Sequence, residues 1–99
     1  MKKTTQMMCF AVLGFAVALV PTLAKAATDD DKKFLAMAAQ SDQNEIALSQ
    51  LAQQKAANPA VKGFADKMVT EHTKMTGSMK PFADSWGLTA PTGPDADHQ

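Results

Sequence analysis

One histidine stands in an otherwise apolar row. Val61, Ala65, Met68, His72, Met75, Met79, Phe82 and Trp86 follow one another at alternating steps of four and three. That rhythm marks the seam of a helix packed against other helices. An imidazole in such a seam needs a partner, because burying an unmatched polar group costs on the order of 2 kcal/mol or more. Helical geometry nominates Glu45. It falls near the centre of the apolar arc of the preceding helix. A turn centred between Asn58 and Pro59 puts Glu45 and His72 at one height, each 13.5 positions from that centre.

Two kinds of chemistry fit such a pair. One is a buried carboxylate–imidazole contact that fixes the register of two otherwise slippery helices. The other is a metal centre. Four-helix carboxylate proteins use a Glu from each of two helices and Glu-x-x-His from each of the others. Here Val69 occupies the position three before His72, and the nearest carboxylate on that helix is Glu71, about 100° round the axis. The candidate ligands are therefore Glu45, His72 and Glu71, for iron. Met68, His72, Met75 and Met79 share a face and offer the softer set that suits Cu(I), although methionine at helical spacing is also ordinary core filler. Asp97-His98, two adjacent residues near the C-terminus, preform no site. No cysteine accompanies His72, Ser78 lies almost two turns away, and no Gly-rich phosphate loop is present. Without a metal, no enzyme activity is expected.

Two helices must carry these residues. Thr28-Asp29-Asp30-Asp31 supplies a cap and acids for the positive end of a first helix, expected over about Asp31 to Ala57. Gln40, Gln43, Gln50 and Gln54 cluster on its polar side. Phe34, Met37, Leu48 and Leu51 form one flank of the opposite side, and Leu35 and Ile46 the other. Small residues and Glu45 lie between the flanks. An arc this wide suits a helix with two neighbours. Asn58-Pro59 pairs a good N-cap with a residue at home in the first helical turn. The second helix carries the seam, is expected to kink or break at Pro81, and ends at Gly87. Residues 89–99 hold prolines, a glycine and polar residues, and read as a flexible, disordered tail.

The N-terminus reads as a signal peptide, residues 1–26. Lys2 and Lys3 precede the uncharged stretch Met7 to Val20, Pro21 ends it, and Ala24-Lys25-Ala26 offers a cleavage site. Removal leaves seven lysines against ten acids, a formal charge of 7 − 10 = −3, with no arginine and no cysteine. That balance argues against nucleic acid as a partner and against an electrostatic hold on anionic lipid. No stable membrane span is expected after cleavage.

The segment FLAMAAQSDQNEIALSQLAQQKAANPAVKGFADKMVTEHTKM, Phe34 to Met75, with the Gly-Leu-x-x-Pro step at Gly87 to Pro91, resembles the bacterial family DUF4142 of exported, ferritin-like helical proteins. The motifs are Glu45 in NEIALSQLA, the run Val61 to Val69, and Glu71-His72. The resemblance implies a ferritin-like four-helix fold in the periplasm or at the outer membrane, and no known activity. It also implies a second helical pair. The expectation is thus an all-α antiparallel hairpin over residues 27–88, half of a ferritin-like bundle, completed as a homodimer or by another helical protein. Its expected role is non-enzymatic, structural or interactive, and the alternative is a metal-binding protein using iron or copper.

Overall fold

A computed structural model describes residues 26–99. The signal-peptide assignment lies outside the described residues, apart from Ala26. Two long helices, α1 (Asp29–Lys55) and α2 (Pro59–Ser85), run antiparallel, and a short 3-10 turn spans Ala96–His98. None of the described helices is long and apolar enough to cross a membrane.

Local chemistry explains the helix ends. Thr28 and Asp31 form a reciprocal cap. The Asp31 amide donates to the Thr28 hydroxyl at 3.1 Å, and the Thr28 amide donates to the Asp31 carboxylate at 2.8 Å. The bond from the Thr28 amide, and then the Thr28 hydroxyl beside it, hold the Asp31 carboxyl below its usual pKa. Asn58 accepts from the Ala60 amide at 2.8 Å, with Pro59 at the first helical position. Gly87 closes α2 at φ 69°, a conformation that disfavours a side chain. There the Leu88 amide reaches the Ala83 carbonyl at 2.9 Å, and the Gly87 amide that of Asp84 at 3.4 Å, the Schellman arrangement.

α2 continues through Pro81 unbroken, so of the kink or break expected there the break does not occur. The proline removes one bond to the Gly77 carbonyl, but Gly77 is exposed and its carbonyl can be hydrated. The neighbouring turns keep their own bonds.

The contact between the helices combines small and polar residues with a few large apolar ones. α1 contributes the heptad line Leu35, Asp42 and Ser49, all buried. α2 contributes Ala65 and Ala83, 2 % and 4 % exposed, with half-buried Val69, His72, Thr76, Met79 and Trp86 between and beyond them. This corrects the expected seam. Ala65, Met68, Met79 and Trp86 are at least half-buried, but Val61, Met75 and Phe82 are 46 %, 49 % and 55 % exposed. Thr76 and Ala83 take the places assigned to Met75 and Phe82. One residue of shift is 100° of rotation, and small side chains let the two backbones approach. Phe82 instead packs its ring on Trp86, centroids 5.8 Å apart.

The segment after α2, expected to be a free tail, folds back. Ala90 and Pro91 lie over Ala39, Gln43, Thr76, Met79, Lys80 and Ala83, lining with them a partly open pocket of about 60 Å³. Residues 93–98 then reach α1.

Candidate functional site

Midway along the hairpin stands a buried polar trio. Asp42 is the middle residue of α1 and His72 the middle residue of α2. His72 Nδ1 donates to Asp42 Oδ1 at 2.6 Å. The Thr76 hydroxyl donates to the other carboxylate oxygen, Oδ2, and itself accepts from Gln43 Nε2 at 3.2 Å. The Asp42 side chain is 1 % exposed and that of His72 19 %. Both Asp42 oxygens are therefore matched. Among the described residues, no buried side-chain polar atom lacks a partner, which lets a carboxylate sit in the seam at tolerable cost.

The trio is not a nucleophilic triad. In such a triad the hydroxyl faces the ring nitrogen opposite the carboxylate. Here the hydroxyl is spent on the carboxylate itself, and among the described residues no hydrogen bond joins His72 Nε2 to a hydroxyl or thiol. What the trio does is fix alignment. Gln53 Nε2 donates to Asp66 Oδ1 at 2.8 Å, and this bond and Gln43–Thr76 lie ten residues apart on both helices. The register is thus pinned over almost three turns.

The expected Glu45–His72 pair does not form, and His72 has Asp42 instead. Residue 45 is 300° round the helix from residue 42, so it stands 60° off the contact line. Glu45 is half-buried beside that line. Glu71 is exposed and meets Lys74 at 3.3 Å. Asp42 carried one legible signal, its place in the line Leu35, Asp42, Ser49, Ala56. The apolar arc drew the eye past it, because Asp42 lies toward the edge of that arc.

A metal would find a poor seat in one chain. Among the described residues, no three of His, Cys, Asp and Glu gather as a metal cluster. The carboxylate nearest His72 is already engaged on both oxygens. Met68 and Met79 are half-buried and Met75 exposed, so the soft set is divided between seam and surface.

A second polar cluster ties the C-terminal segment to α1. Buried Asn44 donates to Asp95 Oδ2 at 2.9 Å and accepts from the Asp95 amide at 3.0 Å. Gln40 Nε2 donates to the Gly93 carbonyl at 3.1 Å. His98 Nδ1 donates to Asp95 Oδ1 at 2.6 Å. The bonds from His98 and then Asn44 hold the Asp95 carboxyl below its ordinary pKa. Sequence reasoning missed Asn44 and Asp95, which lie 51 residues apart. The Asp97-His98 pair has a modest role, with His98 bracing Asp95 from its own turn.

The third feature is an apolar face. Phe34, Met37, Leu48, Leu51, Val61, Phe64, Met75 and Phe82 are all 44–73 % exposed. At 100° per residue, the four on α1 lie well round from the Asp42 line. On α2, Phe64, Met75 and Phe82 lie about 70–95° off the line through Ala65, His72 and Ala83, and Val61 about 35° off it on the same side. In an antiparallel pair these two rotations lead to the same side of the hairpin, opposite the side that residues 90 and 91 cross, with Leu51 at its edge; Asn44, which holds Asp95, lies between Leu51 and Met37 on the back of α1.

The family described as "Domain of unknown function (DUF4142)" matches the chain over residues 18–99. No curated protein and no solved structure matches it.

Proposed function

The chain belongs to the DUF4142 family, and we propose that it is an exported, non-enzymatic module of the cell envelope that works by docking its apolar face on another helical surface. One observation carries the reading, the side of the hairpin bearing Phe34, Leu48, Phe64, Met75 and Phe82. A typical monomer's largest apolar patch is about 300–600 Å² and is often a binding site. Eight large side chains along both helices exceed that. The wide arc of α1 supports the same reading, since α2 takes only its Leu35 and Ile46 flank. Docking there would complete a ferritin-like four-helix arrangement. Export is supported by Lys2, Lys3, the apolar stretch 7–20 and Ala24-Lys25-Ala26.

The test is cross-linking in intact cells. A photoreactive residue at position 64 should give a discrete adduct in the envelope fraction. The same residue at position 62, on the other side of α2, should give none. Equal labelling at both positions, or recovery of the protein only from the cytosol, would sink the proposal.

A metal centre remains the second reading, on one observation: Asp42 orients the His72 ring and leaves Nε2 free to coordinate, as carboxylates behind metal-bound histidines do. It requires ligands from beyond one chain. Native mass spectrometry of the protein purified without added metal decides it by the bound mass.

A further inference from the structure

We infer that the occupant of the apolar face is a second copy of this chain, joined face to face into a four-helix bundle. The inference rests on the docking reading above and names its partner.

Area comes first. Eight side chains at 44–73 % exposure, taken at about 150–200 Å² each, offer roughly 800 Å² per chain. That is the half-share that each partner brings to a standard interface of about 1,600 Å². The face is thus sized for one stable association.

Length comes second. α1 and α2 have 27 residues each, about 40 Å of helix. The apolar side chains run the whole distance, from Phe34 and Phe82 at the open end to Leu51, Val61 and Phe64 near the turn. The other large apolar stretch in this chain, Met7 to Val20, has 14 residues and would span about 21 Å as a helix. It would leave half the face bare. A second hairpin has the right length and the right width, because it too presents two helices.

Self-complementarity comes third. A two-fold pairing joins like patches, and here the patch is apolar at both ends and in the middle. Phe34 and Phe82 have apolar counterparts whichever way the copies run. The seam of small residues keeps each hairpin thin, and the segment over Ala39 and Ala83 closes the other broad side. The same segment also covers the back of α1 at Gln40 and Asn44, so one broad side is left for association, which favours a closed dimer over an open fibre.

Sedimentation velocity across a concentration series tests this, on protein expressed from the full chain and purified as the cell processes it. The wild type should sediment as a dimer. Phe64→Glu and Leu48→Glu, on different helices, should each weaken it about a hundredfold or more, because each places two like charges in a desolvated interface. Both positions are exposed in the single chain, so helicity by circular dichroism should persist. Lys62→Glu should leave the dimer intact. A monomeric wild type overturns the inference. So does a dimer that survives both substitutions. Should both variants lose helicity, isotope-filtered NOEs between copies at the wild-type Phe64 ring decide: their presence upholds the interface and their absence overturns it. A monomer whose position 64 still cross-links to a different protein overturns the second copy and leaves the docking reading standing. A monomer without an adduct overturns both.

Discussion

The two broad sides of the hairpin are finished in opposite ways. One is crossed by residues 90 and 91, and this strap continues through residue 98 onto the back of α1; it carries no large apolar side chain and is placed by hydrogen bonds from Gln40 and Asn44. The other has no such strap and exposes Phe34, Leu48, Phe64, Met75 and Phe82. The difference separates two kinds of specification. Hydrogen bonds are directional, so Asn44 accepts only a segment that brings an amide and a carboxylate at the spacing of Asp95. Apolar area is non-directional, so the opposite side attracts a partner by extent more than by pattern. The seam between the sides follows the polar rule as well, since Asp42, His72 and Thr76 set its register while alanines set its closeness.

Substitutions in the seam and on the apolar face should separate sharply. The largest effect is expected for Asp42→Ala, which strands His72 Nδ1–H in the seam and leaves the Thr76 hydroxyl only the His72 carbonyl as acceptor. Urea denaturation should show a loss of about 3 kcal/mol. Asp42→Asn should recover most of it, and Glu45→Ala should cost about 0.5 kcal/mol or less in a monomeric background. Comparable losses at 42 and 45 would overturn the assignment of Asp42 as the partner of His72.

Next comes Ala65→Leu, in the seam at 2 % exposure. Overpacking there should cost about 2 kcal/mol, whereas Phe64→Ala, measured where the protein is monomeric, should shift stability by about 0.5 kcal/mol at most. A large cost at position 64 in a monomer would mean that this ring belongs to the hairpin's own core.

Asn44→Ala should remove about 1 kcal/mol and act locally. Amide exchange should quicken over residues 93–98 and leave α1 and α2 unchanged. Global loss of protection would show instead that the strap folds as one unit with the helices.

The smallest effect is the pH response of the strap. The folded Asp95 carboxyl titrates below its unfolded value, about 3.9 for aspartate. Its stabilisation is therefore present above that value and lost as pH falls through the lower, folded pKa. NMR shifts of residues 93–98 should move in that acidic window, and Asn44→Ala should move the transition upward. A transition at or above the ordinary aspartate range would contradict the Asp95 contacts.

How much was legible varied with distance along the chain. The caps at Thr28 and Asn58, Pro59 at the first turn and the stop at Gly87 were all readable, because each involves residues within a few positions. The wide arc of α1 was readable, but not which flank would face α2. Leu35 and Ile46 offered one apolar edge, and Phe34 and Leu48 the other. The choice fell to the edge that allows close approach past Ala65 and Ala83. Glu45 stood at the centre of that arc and was assigned the role that Asp42 fills from its edge. The 89–99 segment read as a tail because composition records its lack of apolar side chains, not a bond to Asn44.

The amino-acid sequence by itself determined two helices, their ends and their antiparallel pairing, since capping and i-to-i+4 bonding are local and the turn is short. The tertiary structure alone decided their phase, and with it the Asp42–His72–Thr76 trio, the docked strap and the exposed apolar face. The reason is geometric. Rotating a helix by 60° about its axis disturbs none of its own hydrogen bonds, yet it exchanges the side chains that meet the neighbouring helix.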